Sequence, residues 1–206
     1  MNVIKYLFLL ISFSTISCIT YKRNTIIDSY NYTPDILPIH SHQQLGINAV
    51  NKPHFFIINT EQTTILSEEL QKVEIQLGFK INRDDNIPFF LEVASWLGVP
   101  YKHSGNTKNG TDCSGFTSAI YKIIYNVDLD RRSDGQYYNN CINIPKSKLR
   151  TGDLVFFKIN NDKISHVGIY LKNNKFIHAS SYRGVTVNDL DESYYKKYYY
   201  ASGRVK

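Results

Sequence analysis

The sequence predicts an α+β domain in which helices come first and an antiparallel sheet follows. Apolar residues recur with helical period in three segments between residues 65 and 127. Beyond residue 151 the period shifts to two, in "GDLVFFKI", "HVGIYL", "KFIHAS" and "GVTVNDL", with "NND", "KNN" and "SYRG" as polar breaks. A run of helices followed by a run of strands packs best as helices on one face of a sheet.

Each element has its own punctuation. In "ILSEELQKVEIQLGF", Leu66, Leu70, Val73 and Leu77 fall on one helical face and Gly78 closes it. "DDNIPFFLEVASWLGVP" opens after Asp or Asn, carries Pro88 in its first turn, and stops at Gly98 and Pro100. Its buried stripe is Phe89, Phe90, Val93, Ala94 and Leu97, with Trp96 read as core. A third helix begins at or beside Cys113 in "GTDCSGFTSAIYKIIYNV", with Phe116, Ala119, Ile120, Ile123 and Ile124 as its apolar positions. The tail "YYKKYYYASGRV" reads as a final strand, aromatics inward and lysines outward.

At 206 residues, 42% hydrophobic and 20% charged, the chain can bury a proper core in one domain with an appendage. Its net charge of +6 is spread along the sequence. That favours anionic partners such as lipid or cell-wall carboxylates and is too diffuse for nucleic acid, of which no motif is present. The opening "MNVIKYLFLLISFSTISC" has the form of an export signal: Lys5, an apolar run from Tyr6 to Phe13, then small residues and a cysteine. The run is shorter than the roughly 20 apolar residues that span a bilayer. Ser17-Cys18 resembles a bacterial lipobox, although Thr15 stands where leucine is usual. The expected organisation is a lipoprotein-type signal peptide over 1–17, lipidation at Cys18, and a tether over 18–60 punctuated by Pro34, Pro38, Gly46 and Pro53. A helical extension over 61–85 and the main domain over 86–206 follow. With Cys18 consumed, only Cys113 and Cys141 remain, too few for a disulfide framework. Cys141 reads as a small buried hydrophobe; a Cys113–Cys141 disulfide is the alternative and would block thiol chemistry.

The chemistry centres on "NGTDCSGFTSAIY". A cysteine at a helix start faces unpaired N–H groups and the positive dipole end, which favour the thiolate. A free thiol, with pKa ~8.5, still needs a base. Of six histidines, His166 and His178 lie in predicted strands, whereas His40, His42, His54 and His103 sit in polar loop sequence. A two-residue turn at Asn173-Asn174 would put His166 and His178 on opposite faces of a hairpin. The predicted connection is a three-residue loop, Lys172 to Asn174, with Asn174 at positive φ, which pairs Gly168 with His178 and sets both histidines on one face.

"WLGVPYKHSGNTKNGTDCSGFTSAIY", "RTGDLVFF", "ISHVGIYL" and "KFIHASSYRGVTV", in this order, resemble the NlpC/p60 family of bacterial cell-wall cysteine endopeptidases. The resemblance implies a papain-like α+β fold and cleavage of peptidoglycan stem peptides. It makes Cys113 the nucleophile, His166 the general base and His178 the residue that orients His166, in the logic of a triad. Tyr101 stands at the family's tyrosine facing the nucleophile, where it would assist the oxyanion or hold substrate; a packing tyrosine is the plain alternative. Asp112 and Ser114 either cap the helix and shape the site or meet the charged end of a stem peptide. Gly115 would allow close backbone packing beneath the thiol. Arg132, Ser133 and Gln136 match a stretch lining the groove, where Arg132 would pair with a substrate carboxylate or remain a solvated loop charge.

This chain departs from the family in having Ser104-Gly105 where two glycines are usual, and His103 where an aromatic is common. The implied function is a lipid-anchored endopeptidase, needing no cofactor or metal, acting as a monomer from the outer membrane facing the periplasm. Its bond would be γ-D-glutamyl–diaminopimelate or D-alanyl–diaminopimelate. The alternatives are a non-catalytic envelope-binding module, and an amidase or acyltransferase using the same three residues.

Overall fold

The computed structural model describes residues 60–159 and 162–206; the signal segment, Cys18 and the tether up to residue 59 lie outside the described residues. Helix α1 (Thr60–Leu77) ends at Gly78, whose φ of 77° is open to glycine at no steric cost. Its Val73 and Leu77, with Phe79 and Ile81 just beyond, enter the same buried cluster as the rest of the domain. Helix α2 (Ile87–Ala94) is capped by Asn86, whose side chain accepts the Phe89 N–H at 3.1 Å. It buries Phe89, Phe90, Val93 and Ala94. Trp96 is core as expected, and its indole N–H donates to Glu92 at 2.8 Å.

A tight hairpin of β1 (Asn106–Thr107) and β2 (Gly110–Thr111) leads into α3 (Cys113–Tyr125), which closes at Asn126 with φ 54°. A single turn, α4 (Ser133–Gly135), runs through a π-helical turn over Gln136–Asn140 into β3 (Cys141–Ile144). Then follow β4 (Leu154–Phe157), β5 (His166–Tyr170), β6 (Lys175–Ser180), β7 (Gly184–Asp189), α5 (Ser193–Tyr198) and β8 (Tyr199–Val205). The six-stranded sheet has the order β3-β8-β4-β5-β6-β7, and every neighbouring pair is antiparallel. The expected α+β, papain-like class is the one observed.

Two features differ from the sequence reading. Residues Cys141–Ile144 form an edge strand, because "CINI" pairs with the last strand across the whole chain, a contact no local pattern signals. The tyrosine-lysine tail is not one strand: its first half folds as α5, which turns Tyr195 and Tyr198 onto the sheet, and only its second half becomes β8.

The sheet is buried on both faces. Leu154, Phe156, Val167, Ile169 and Ile177 join α2 and α3 in the main core. Val155, Phe157 and Phe176 alternate with them and pack beneath Tyr195, Tyr198 and Tyr199 on the other side. Burying each such phenylalanine is worth about 2–3 kcal/mol.

The β5–β6 turn settles which way the histidines face. Asn173 and Asn174 both have positive φ, 52° and 64°, and the Lys175 N–H donates to the Lys172 carbonyl at 3.0 Å, as in a tight two-residue turn. Yet the Leu171 N–H donates to the Lys175 carbonyl at 2.9 Å, so Leu171 and Lys172 together oppose Lys175. This bulge restores the three-residue register, Ile169 with Ile177 and Tyr170 with Phe176, and that register brings Gly168 opposite His178. A Cβ on Gly168 would sit 3.1 Å from the His178 Cβ and 2.7 Å from the Phe176 ring.

Candidate active site

Cys113 is the first residue of α3 and is 8% exposed. Asp112 caps the helix, its Oδ1 accepting the Gly115 N–H at 2.7 Å. Its two carboxylate oxygens also accept the two NH groups of Arg131 at 2.8 Å each, and Oδ2 accepts the Ser104 N–H at 2.8 Å. Burial pushes the Asp112 carboxyl up, but Arg131 and the N–H groups of Gly115 and Ser104 outweigh it and hold the group below the usual carboxylate range. Asp112 is therefore saturated by its own protein. Arg131 goes on to the Ser114 hydroxyl at 3.0 Å and the Gly105 carbonyl at 3.1 Å, clamping the loop before the cysteine to the helix after it.

Arg132 is not brought into this cluster: its side chain is 76% exposed and pairs with Asp134 at 3.3 Å. Arg131, one residue earlier, is the arginine that reaches the cysteine's neighbours. The sequence offers only alternation to separate the two. Ser104 has φ 60°, a conformation glycine takes freely, so the chain holds at this position the backbone a glycine would give. Beneath the site a Cβ on Gly115 would fall 2.0 Å from the Gly105 carbonyl oxygen, so close backbone packing requires glycine there.

Gln136 is fully buried behind α3, not in the groove. Its amide N–H groups donate to the Ser114 carbonyl (3.0 Å), the Asp130 carbonyl (2.9 Å) and the Ser118 hydroxyl (3.0 Å), and its oxygen accepts the Thr117 hydroxyl at 2.8 Å. Gln136→Leu strands these groups and is expected to cost about 2 kcal/mol, read as a lower urea midpoint at unchanged m.

His166 opens β5 and His178 lies mid-β6, 1% exposed, with Nε2 of His166 2.8 Å from Nδ1 of His178. His178 stacks on Phe176 with ring centroids 4.9 Å apart. The histidines belong to the far face of the sheet and the cysteine helix to the near one. They meet in a cleft of about 770 Å³ at the start of β5, lined among others by Tyr101, Cys113, His166 and His178. Tyr101 is 38% exposed and bridges to Thr111; burial, then the neighbouring Cys113 and Asp112, push its hydroxyl pKa up.

Burial pushes the Cys113 thiol above its ordinary pKa, although the N–H groups of Val167, Ser114 and Cys113 itself point at the sulfur and pull the other way. The helix terminus acts as expected from sequence, but desolvation outweighs it. Burial, reinforced by His178, holds His166 well below its ordinary value, and burial takes His178 down to about 4. The resting site is thus a neutral thiol beside a neutral imidazole pair. Among the described hydrogen bonds none joins Cys113 to His166, whose Nδ1 is the ring nitrogen not engaged by His178. Such contacts often tighten only when substrate arrives.

Cys113 and Cys141 are both free, and burial pushes the Cys141 thiol up to about 12, which leaves it inert. Among the described residues no group of three or more His, Cys, Asp or Glu side chains could hold a metal. Besides Arg131, two groups beside His178 went unnoticed in the sequence: Asn188 of β7, whose Oδ1 is 3.0 Å from His178 Nε2, and Tyr195 of α5, whose hydroxyl is 3.1 Å from the same nitrogen.

Residues 98–204 match the profile of the NlpC/P60 family. The chain is 42% identical over 110 residues to a probable endopeptidase NlpC homolog of Haemophilus influenzae, covering 53% of this chain and 57% of the relative. It is 40% identical over 114 residues to the murein DD-endopeptidase MepS/murein LD-carboxypeptidase of Escherichia coli, covering 55% and 60%. The chain thus spans less than two thirds of these two relatives. The probable endopeptidase NlpC of Escherichia coli is 39% identical over 115 residues, 55% of this chain and 74% of that one. A crystal structure of an NlpC/P60 family protein from Bacillus cereus superposes with TM-score 0.53 at 31% identity, over 56% of this chain and 38% of that one. Profile, relatives and fold agree: the chain belongs to the NlpC/P60 family.

Proposed function

We propose that the chain is a peptidoglycan endopeptidase that works through a cysteine acyl-enzyme. The observation that carries this reading is a helix-terminal thiol opening into the same cleft as a hydrogen-bonded histidine pair. Cys113 gives its proton to His166 as the sulfur attacks a stem-peptide carbonyl, forming the S–C bond. The developing oxyanion is met by the Cys113 N–H and the Tyr101 hydroxyl. The C–N bond breaks, and His166 returns the proton to the leaving amine. Water then loses a proton to His166, attacks the thioester and releases the acid, and the thiol is restored. His178 orients His166 throughout.

The names of the relatives, endopeptidase and murein DD-endopeptidase, support an amide bond of peptidoglycan as the target. The candidates are the γ-D-glutamyl–diaminopimelate bond and the D-alanyl–diaminopimelate cross-link. With Asp112 saturated by Arg131, its part in this reading is to hold the helix start, and Ser114 shares that part. The lipobox-like Cys18 supports lipid anchoring in the cell envelope; the proposed form is a monomer held at the outer membrane facing the periplasm.

The test is digestion of purified peptidoglycan by the full chain, with Cys113→Ala alongside, and mass spectrometry of the released muropeptides. Fragments from the wild type alone are expected, with masses that name the bond. Equal fragments from both proteins, or none from either, would sink the reading.

A further inference from the structure

We infer that Asn188 and Glu192 are positioning residues that fix which nitrogens of His178 and His166 carry protons; this rests on reading His166 as the base. Four groups form one chain of hydrogen bonds running away from the cleft. His166 Nε2 meets His178 Nδ1 at 2.8 Å, and His178 Nε2 meets Asn188 Oδ1 at 3.0 Å. Asn188 Nδ2 then donates to both carboxylate oxygens of Glu192, at 3.0 and 2.9 Å. Glu192 is itself held by the Asp189 N–H at 2.9 Å.

The direction of this chain is forced from its outer end. A carboxylate only accepts, so the Asn188 amide must turn its NH₂ group to Glu192; flipping it would set an oxygen against two anionic oxygens. The Asn188 oxygen then faces His178, and that oxygen only accepts. His178 must carry its proton on Nε2, since the other tautomer would press two lone pairs together at 3.0 Å. Tyr195 fits this arrangement: its hydroxyl, 3.1 Å from Nε2 and 3.5 Å from Asn188 Oδ1, accepts from the first and donates to the second. Without Asn188 the same hydroxyl could donate to Nε2 and stabilise the opposite tautomer, so Tyr195 alone does not decide.

With Nε2 protonated, His178 Nδ1 is an acceptor, and His166 must donate to it from Nε2. The His166 lone pair is thereby left on Nδ1, the nitrogen free to take the thiol proton. An exposed glutamate thus sets the proton on a histidine three hydrogen bonds away. Groups of this kind, which orient a ligating or catalytic histidine from outside, typically matter 10- to 100-fold when removed.

The test uses the ¹⁵N-labelled full chain and long-range ¹H–¹⁵N spectra, which report the histidine tautomers directly, together with steady-state muropeptide hydrolysis. Wild type should show Nε2–H at both His178 and His166. Asn188→Leu should lose the single tautomer at His178 and lower kcat about 10- to 100-fold with KM nearly unchanged. The double variant Asn188→Asp/Glu192→Gln keeps the direction, because the amide introduced at position 192 donates to the carboxylate introduced at position 188, which still accepts from His178. It should retain both tautomers and most of kcat. Three results would overturn the inference: an Nδ1–H His178 in wild type, unchanged tautomers in Asn188→Leu, or lost order in a folded double variant. If wild type releases no muropeptides the functional reading fails, while the tautomers still decide this one.

Discussion

His166→Gln should lower kcat/KM on muropeptides by about 10³-fold or more while leaving the domain folded. Glutamine can still donate to His178 Nδ1 in place of His166 Nε2, so the interaction that seats the side chain survives. What disappears is the only function glutamine lacks, a nitrogen able to take and return a proton. The loss should be steep because this site has no preformed thiolate to fall back on. Desolvation holds the Cys113 thiol above its ordinary pKa, so without a base the nucleophile is scarce as well as poorly assisted. Cys113→Ala should be as damaging, and the double variant no worse than either single one, since in the proposed mechanism the two share one proton-transfer event. The decisive number is the ratio of double to single rates. Multiplicative losses would mean that Cys113 and His166 do not share a step.

The parts of the site legible in the sequence are those carried by local pattern. Cys113 at the start of an amphipathic helix, and two strand histidines separated by a short turn, were both visible. So was the need for a register placing the histidines on one face. The three-residue route to that register, with Asn174 at positive φ, was legible too; the second positive φ, at Asn173, was not. The Asn173-Asn174 pair favours the tight turn, and only the bulge at Leu171–Lys172 rescues the alignment, because a one-residue slip would turn every β6 side chain over. Arg131 and Arg132 are indistinguishable by composition, and the chain's bend after Asp130 alone decides which one meets Asp112. Asn188 was missed for a related reason. It pairs in register with Phe176 and reaches His178 only diagonally, two residues along the strand, and its partner Glu192 lies beyond the turn into α5. A single inward-facing asparagine ending the alternating run "GVTVN" was the one available signal. The edge strand β3 and the helical half of the tyrosine tail depend on contacts with distant strands, which local periodicity does not encode.

Acid should destabilise this domain through its buried histidine pair before Asp112 titrates. His178 has a folded-state pKa of about 4 against 6.5 for the ordinary group, and His166 is depressed as well. Between these values the unfolded chain binds a proton that the folded domain refuses, so unfolding is favoured as pH falls. Stability is fully present above about pH 6.5 and is lost as pH drops toward the folded pKa. For His178 alone the linkage amounts to about 2 kcal/mol by pH 5 and about 3 kcal/mol by pH 4, with His166 adding to it. Asp112 is held low by Arg131, so its contribution is also lost on acidification, but only below its ordinary value of 3.8. In the interval from pH 6.5 to 4 the loss therefore comes from the histidine pair and not from Asp112. Melting should show a fall of about 5 °C or more between pH 7 and 5, and His178→Gln should make that fall shallower, leaving the part due to His166 and the further loss below pH 4. The same depression has the opposite sign for activity. A base that stays neutral below pH 6.5 keeps kcat/KM high in mildly acidic medium, so the acid limb of activity should lie below 6.5. A wild-type melting temperature that is flat from pH 7 to 4.5, or an acid limb above pH 6.5, would show that the pair is solvated and ordinary rather than buried and neutral.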